Sequence, residues 1–204
     1  MEKKRFNPKQ KEFFNEKAKV WDKITIHDSQ KVRYITELLA IQGGDKILDI
    51  GTGTGVMIPF YENYLVDGCV MAVDYSEKMI KEAKKKYPEK DHPKISYIVS
   101  DVYSLKYDEQ FDLVVCYSSF PHFVDQPLAI RILAKALKHG GRLTIAHSDS
   151  AEKINGVHLN GGVEIKNDFL PNMKRLKQMI AKQGLGVTFE RDDENYFICI
   201  AKKA

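Results

Sequence analysis

The stretch that decides the fold is "KILDIGTGTGVM", residues 46–57. An apolar strand-like run ends in an acid and then breaks into glycines at alternate positions, Gly51, Gly53 and Gly55. A strand that enters a Gly-rich turn and then a helix places a ligand at the strand's C-terminal end. Glycine permits positive φ and removes the Cβ that would block a close approach. A dinucleotide fingerprint would put the third glycine at position 56, which is Val56, and no Gly-Lys-Ser/Thr follows for a P-loop. The Asp-x-Gly-x-Gly-x-Gly spacing is poor for gripping pyrophosphate and suited to a compact ligand.

Working outward, strand and helix patterns alternate. "CVMAVD", "KISYIVS", "FDLVVCYS" and "RLTIAHS" read as short apolar strands. Helices are expected over about 55–66, through "SEKMIKEAKKKY", over about 123–139 with a stop at Gly140-Gly141, and over about 171–183 with a stop at Gly184. "GVTFER" and "NYFICIAKK" form a closing hairpin. The pattern predicts an α/β, Rossmann-like, doubly wound sheet of seven strands, mostly parallel, with an antiparallel C-terminal hairpin. Pro59, early in the first of these helices, predicts a local bend.

Upstream, Asn7, Pro8 and Gln10 make a capping-box start, and Phe14, Ala18 and Trp21 form one stripe. A second helix from about Asp28 carries Val32, Ile35 and Leu39 on one face, and Gly43-Gly44 end it. Residues 1–42 are therefore expected to be a helical cap or lid, and 43–204 the main domain. Residues 149–167 fit no framework element and read as an active-site insertion. There Asp149 and Glu152 have capping-box spacing, predicting a short helix that presents His158.

Charge is uneven. Residues 1–33 hold ten Lys/Arg against five Asp/Glu, and the remainder 22 against 23. A basic arm could meet an acidic partner, but with no dense basic run a solvated helix face is the simpler reading, and no nucleic-acid partner is expected. No apolar run reaches the length of a bilayer span and the N-terminal residues have no signal-like core. The three cysteines lack CxxC spacing and sit in apolar runs, which predicts buried reduced thiols, a cytoplasmic setting and no metal site.

Two further acids complete the pattern. Asp74 ends the second strand, where a carboxylate can accept from two ribose hydroxyls, and Asp101 ends the third, within reach of an adenine amino group. Each alone could equally be a helix N-cap. With "ILDIGTGTG", "VMAVDYSEKMI", "VSDVYSL", "FDLVVCYSSFPHF" and "LKHGGRLTIAHS" in order, the chain resembles the class I S-adenosylmethionine-dependent methyltransferases, in the flavour of the ubiquinone and menaquinone biosynthesis enzymes. The resemblance implies S-adenosylmethionine as cofactor and S-adenosylhomocysteine as product. It places Asp49, Gly51, Thr52, Gly53 and Gly55 at the methionine part and Asp74 and Tyr75 at the ribose. Asp101 and the Val102 backbone fall at the adenine, and Cys116, Tyr117 and Ser118 beside the sulfonium.

Methyl transfer is an in-line displacement in which alignment supplies much of the rate, so a base is optional. Histidine is the usual helper for a phenol, thiol or carbon acid. His147, ending the fifth strand, is the leading candidate, with His158 and His122 beside it; Phe14, Trp21 and Ser119 are expected to line the acceptor side. The expected acceptor is a small molecule, aromatic or quinone-like, and a homodimer is admissible. The alternatives are an RNA or protein methyltransferase using the basic arm, or a non-catalytic partner subunit that keeps the fold.

Overall fold

The computed structural model describes residues 7–204. The charged residues 1–6 of the arm and cap lie outside them. Seven strands form one sheet in the order β3-β2-β1-β4-β5-β7-β6. They are β1 (Lys46–Ile50), β2 (Cys69–Asp74), β3 (Ile95–Val99), β4 (Phe111–Tyr117), β5 (Leu137–His147), β6 (Leu185–Asp192) and β7 (Phe197–Lys203). The first five pair in parallel; β7 runs antiparallel to both β5 and β6, wedged between them. The expected sheet and hairpin are therefore present.

Alternation along each strand builds two cores. Leu48, Val114 and Ile145 face one side and pack with α6 (Gln126–Ala136) and α8 (Met173–Ala181) through Ile130, Leu133, Leu176 and Ile180. Ile47, Leu113, Val115 and Ile198 face the other and pack with α3 (Ser29–Leu38) and α4 (Ile58–Glu62) through Val32, Ile35, Ile58 and Tyr61. Thus α3 is a framework helix covering the sheet, although it falls within the stretch expected to be lid. The cap over the sheet edge is α1 (Pro8–Lys17), a 3-10 turn at Ala18–Val20 and α2 (Trp21–Ile24). Phe14 and Ala18 of this cap pack on Met79 of α5 (Glu77–Lys86) and on Ile165. Its rim is tied to α5 by Lys11–Glu77 and Asp22–Lys86 ion pairs, each 2.8 Å.

Four local expectations are corrected. The helix after the glycine loop does not bend at Pro59; it starts late, at Ile58, with proline in its first turn where no N–H is needed. Gly140-Gly141 do not stop α6, which ends at Ala136. They lie inside β5, where Gly140 has φ +76° and the register with β4 shifts. The insertion helix α7 (Ala151–Leu159) is capped by Ser150, which accepts from Lys153 N, while Asp149 instead pairs with the Lys153 ammonium at 2.6 Å. Cys69 is exposed at the start of β2, and only Cys116 and Cys199 are buried thiols. Among the described residues no helix is long and apolar enough to cross a membrane.

Candidate active site

Strand order reverses between β1 and β4, and a crevice opens at their C-terminal ends, as expected at a topological switch point. The loop after β1 is cinched to β2: Gly51 N and Thr52 N both donate to Val73 O, at 2.8 and 3.0 Å. Gly51, Gly53 and Gly55 all have positive φ, at 72°, 57° and 86°. Their surroundings differ. A Cβ on Gly51 would sit 2.4 Å from Ser119 Cβ, and one on Gly55 would sit 2.8 Å from Ile58 Cδ1. A Cβ on Gly53 would meet nothing within 4 Å. The bare backbone is thus approached at Gly51 and Gly55 by the protein itself, and only Gly53 opens its missing side chain onto free space.

That space is a cleft of about 990 Å³, counting the open solvent at its mouth. Its lining brings together Gly51, Thr52, Gly53, Asp74, Tyr75, Asp101, Val102, Tyr117, Ser118, Ser119, His122, Phe14 and Trp21, all expected from the sequence. Asp74 anchors the loop, accepting from Gly53 N at 2.9 Å and from Ser76 N at 2.8 Å. Burial pushes its carboxyl up to about 6, with the two backbone donors opposing. Asp101 is half-buried and accepts from Tyr103 N at 3.0 Å, so it caps the 3-10 turn Val102–Ser104 and still lines the cavity. Site and cap are one residue.

Five expected site residues stand outside this lining. Asp49 is behind the loop, where it accepts from Thr52 Oγ1 at 2.8 Å; burial raises its carboxyl to about 7. Gly55 is turned to Ile58 and Tyr87. Cys116 is buried in the core, on the face of β4 opposite Tyr117, and burial raises its thiol strongly. His147, expected to point between sulfonium and acceptor, is buried near Phe197, with Nε2 unpartnered in the protein, and desolvation lowers it to about 3. His158 is also buried, its Nδ1 unpartnered, and is lowered to about 4 by burial and the neighbouring His122. Both are therefore neutral imidazoles. Among the described residues no group of three or more His, Cys, Asp or Glu could hold a metal ion.

Of the three expected histidines, His122 is the one that reaches the cavity. It ends the 3-10 turn Phe120–His122 after β4, its ring 4.9 Å from those of Phe14 and His158. Its Nδ1 lies 2.6 Å from Asp168 Oδ2. The same oxygen accepts from Gln10 Nε2 at 2.7 Å, and Gln10 Oε1 accepts from Tyr75 O–H at 3.0 Å. His27 is a further lining residue, its Nδ1 2.9 Å from Tyr117 Oη, which in turn donates to Ser148 Oγ at 2.9 Å. Gln10, His27 and Asp168 were invisible as site residues in the sequence. Gln10 read as a capping side chain and His27 as a helix-end residue, and Asp168 has no motif around it.

The cleft suits S-adenosylmethionine: a carboxylate at each of the β2 and β3 tips, an unblocked Gly53 in the loop after the adjoining β1, and an otherwise largely apolar wall. Residues 48–145 match the family model described as "Methyltransferase domain". Fold, cleft and matched segment make the chain similar to the class I S-adenosylmethionine-dependent methyltransferases. Its relatives make the likeness more particular. A malonyl-[acyl-carrier protein] O-methyltransferase of Priestia megaterium is 32% identical over 136 residues, 65% of this chain and 48% of that protein. A demethylmenaquinone methyltransferase of Thermotoga maritima is 29% identical over 119 residues, 58% of this chain and 50% of that protein. The solved structure of a SAM-dependent methyltransferase from Aquifex aeolicus superposes with a TM-score of 0.73 at 17% identity, over 93% of this chain and 98% of that one. The chain spans about half the length of the curated relatives described here.

Proposed function

We propose that this protein transfers a methyl group from S-adenosylmethionine to a small molecule, aromatic or quinone-like. The observation that carries the reading is the convergence of Gly53, Asp74 and Asp101 on one cavity from three strand tips. When bound, the cofactor supplies an electrophilic methyl group on a sulfonium centre. Asp74 would accept from the ribose hydroxyls, Asp101 from the adenine amino group, and the Gly51–Gly53 backbone would flank the methionine part. Phe14 and Trp21, with His27 and Tyr117, would close the acceptor side and exclude water. His122, rather than His147, would hold a proton there; it alone of the three candidate histidines lines the cavity. The relatives named for quinone and acyl-carrier substrates support a small or tethered acceptor.

Calorimetry tests the reading without knowledge of the acceptor. S-adenosylhomocysteine is expected to bind and NADH is not. Asp74→Ala should weaken the first by about 1.5–3 kcal/mol, the worth of hydrogen bonds to a charged acceptor. NADH binding, or an Asp74→Ala protein with undiminished affinity, would overturn the assignment.

A further inference from the structure

The Asp168 carboxylate joins parts of the chain that are far apart in sequence. His122 reaches it from the end of β4, Gln10 from α1, and Tyr75, through Gln10, from the end of β2. Gln10 is 2% exposed, and the Asp168 and His122 side chains are 11% and 17% exposed, so water competes little for these bonds. An ionised carboxylate only accepts, so the 2.6 Å contact places the hydrogen on His122 Nδ1. In the neutral ring Nε2 then carries the lone pair, and that ring lines the cavity. The neighbouring His158 and His147 are neutral, so neither competes as a cation for Asp168.

We propose that Asp168 is the positioning carboxylate of His122, that it presents Nε2 as proton acceptor to the methyl acceptor, and that Gln10 makes this arrangement conditional on closure of α1. The proposal rests on the methyltransferase reading and narrows its substrate class to acceptors whose nucleophilic atom carries a removable proton: a phenol, an enol or a thiol. The acceptor's proton passes to Nε2, and the freed electron pair stays on the acceptor atom. That pair forms the bond to the methyl carbon, whose former bonding pair remains on the donor sulfur. The imidazolium left behind faces the Asp168 carboxylate, which stabilises it as the aspartate of a hydrolase triad stabilises its histidine. Because Gln10 spends its amide hydrogen on the same oxygen, an open α1 leaves the carboxylate to water and the ring less constrained.

The test is nitrogen-15 NMR of the histidine rings, on free protein and on protein saturated with S-adenosylhomocysteine. Wild type should show His122 protonated at Nδ1 and bare at Nε2. Asp168→Ala should lose that tautomer preference while holding S-adenosylhomocysteine within about twofold, and Asp168→Glu should recover part of it. Gln10→Ala should give a mixed tautomer population in the complex. Adding 4-methylphenol to the complex should shift the Nε2 signal, and its methyl ether should not. A wild-type His122 protonated at Nε2, a tautomer indifferent to Asp168→Ala, or an equal response to the ether would overturn the proposal. If Asp168→Ala does not fold, the Gln10→Ala spectrum decides, and no change in it counts against the proposal. Failure of wild type to bind S-adenosylhomocysteine would instead remove the methyltransferase reading, and the tautomer in free protein would still judge the pair.

Discussion

Gly51 and Gly53 stand two residues apart with similar backbone angles and carry different loads. At Gly51 a methyl group would drive into Ser119, whose Oγ donates to Ile50 O at 2.7 Å and so cannot easily withdraw. Gly51→Ala should cost about 2–4 kcal/mol in urea unfolding, combining overpacking with a positive φ. Gly53→Ala should cost only about 1 kcal/mol, the positive-φ penalty, yet weaken S-adenosylhomocysteine binding in calorimetry. Equal stability losses in the two variants would refute this division. The motif itself was legible as a ligand-binding turn, but its division of labour was not. The partner that makes Gly51 a packing glycine is 68 residues away in sequence, and no local pattern announces it. The same holds for His122 and Asp168, whose contact spans 46 residues.

Among the elements, the cap α1–α2 is the one expected to move. It reaches the core through Phe14 and Ala18, while α3, next in sequence, is built into the sheet's cover. Deleting residues 1–25 leaves Asp28, the N-cap of α3, in place. The truncated protein should still unfold cooperatively and should release S-adenosylhomocysteine at least about tenfold faster in stopped flow, since Phe14 and Trp21 leave the cavity wall. A truncated chain that cannot fold, or that releases ligand at the wild-type rate, would show the cap to be a fixed part of the core. Strand identity was readable because apolar runs of four to seven residues between helices have few other uses. The ends of elements were less so. A Gly-Gly pair reads as a helix stop, yet in Leu137–His147 it serves a strand whose register shifts beside Phe111. Pro59 looked like a defect in a long helix because the loop before it was longer than the motif alone suggests.

Over the whole molecule, buried titratable groups oppose one another. His147 and His158 fall to about 3 and about 4 in the fold. They ionise near 6.5 when unfolded, so the stability they contribute is present above that and lost as pH falls. Asp49 and Asp74 rise to about 7 and about 6 from an unfolded value of 3.8. Their contribution is present below 3.8 and lost as pH rises. Between about pH 4 and 6 the unfolded chain holds protons on the two histidines and the folded chain holds them on the two aspartates, so the slopes nearly cancel. His147→Leu should break that balance. Relative to wild type it should gain stability toward acid, by up to about 1.4 kcal/mol per pH unit, in urea unfolding series at pH 4.5, 5.5 and 6.5. A constant difference across the series would mean that His147 titrates alike in both states.

The pairs Lys11–Glu77 and Asp22–Lys86 tie the cap's rim to α5 through partly solvated side chains. Ions in the medium shorten the reach of such charges, to about 3 Å at molar salt, while the aromatic contact of Phe14 beneath them is left intact or strengthened. If the cap gates the cleft, entry is expected to depend on ionic strength more than occupancy of the floor does. A halophilic and a freshwater version of this fold would need differently charged rims over the same strand tips.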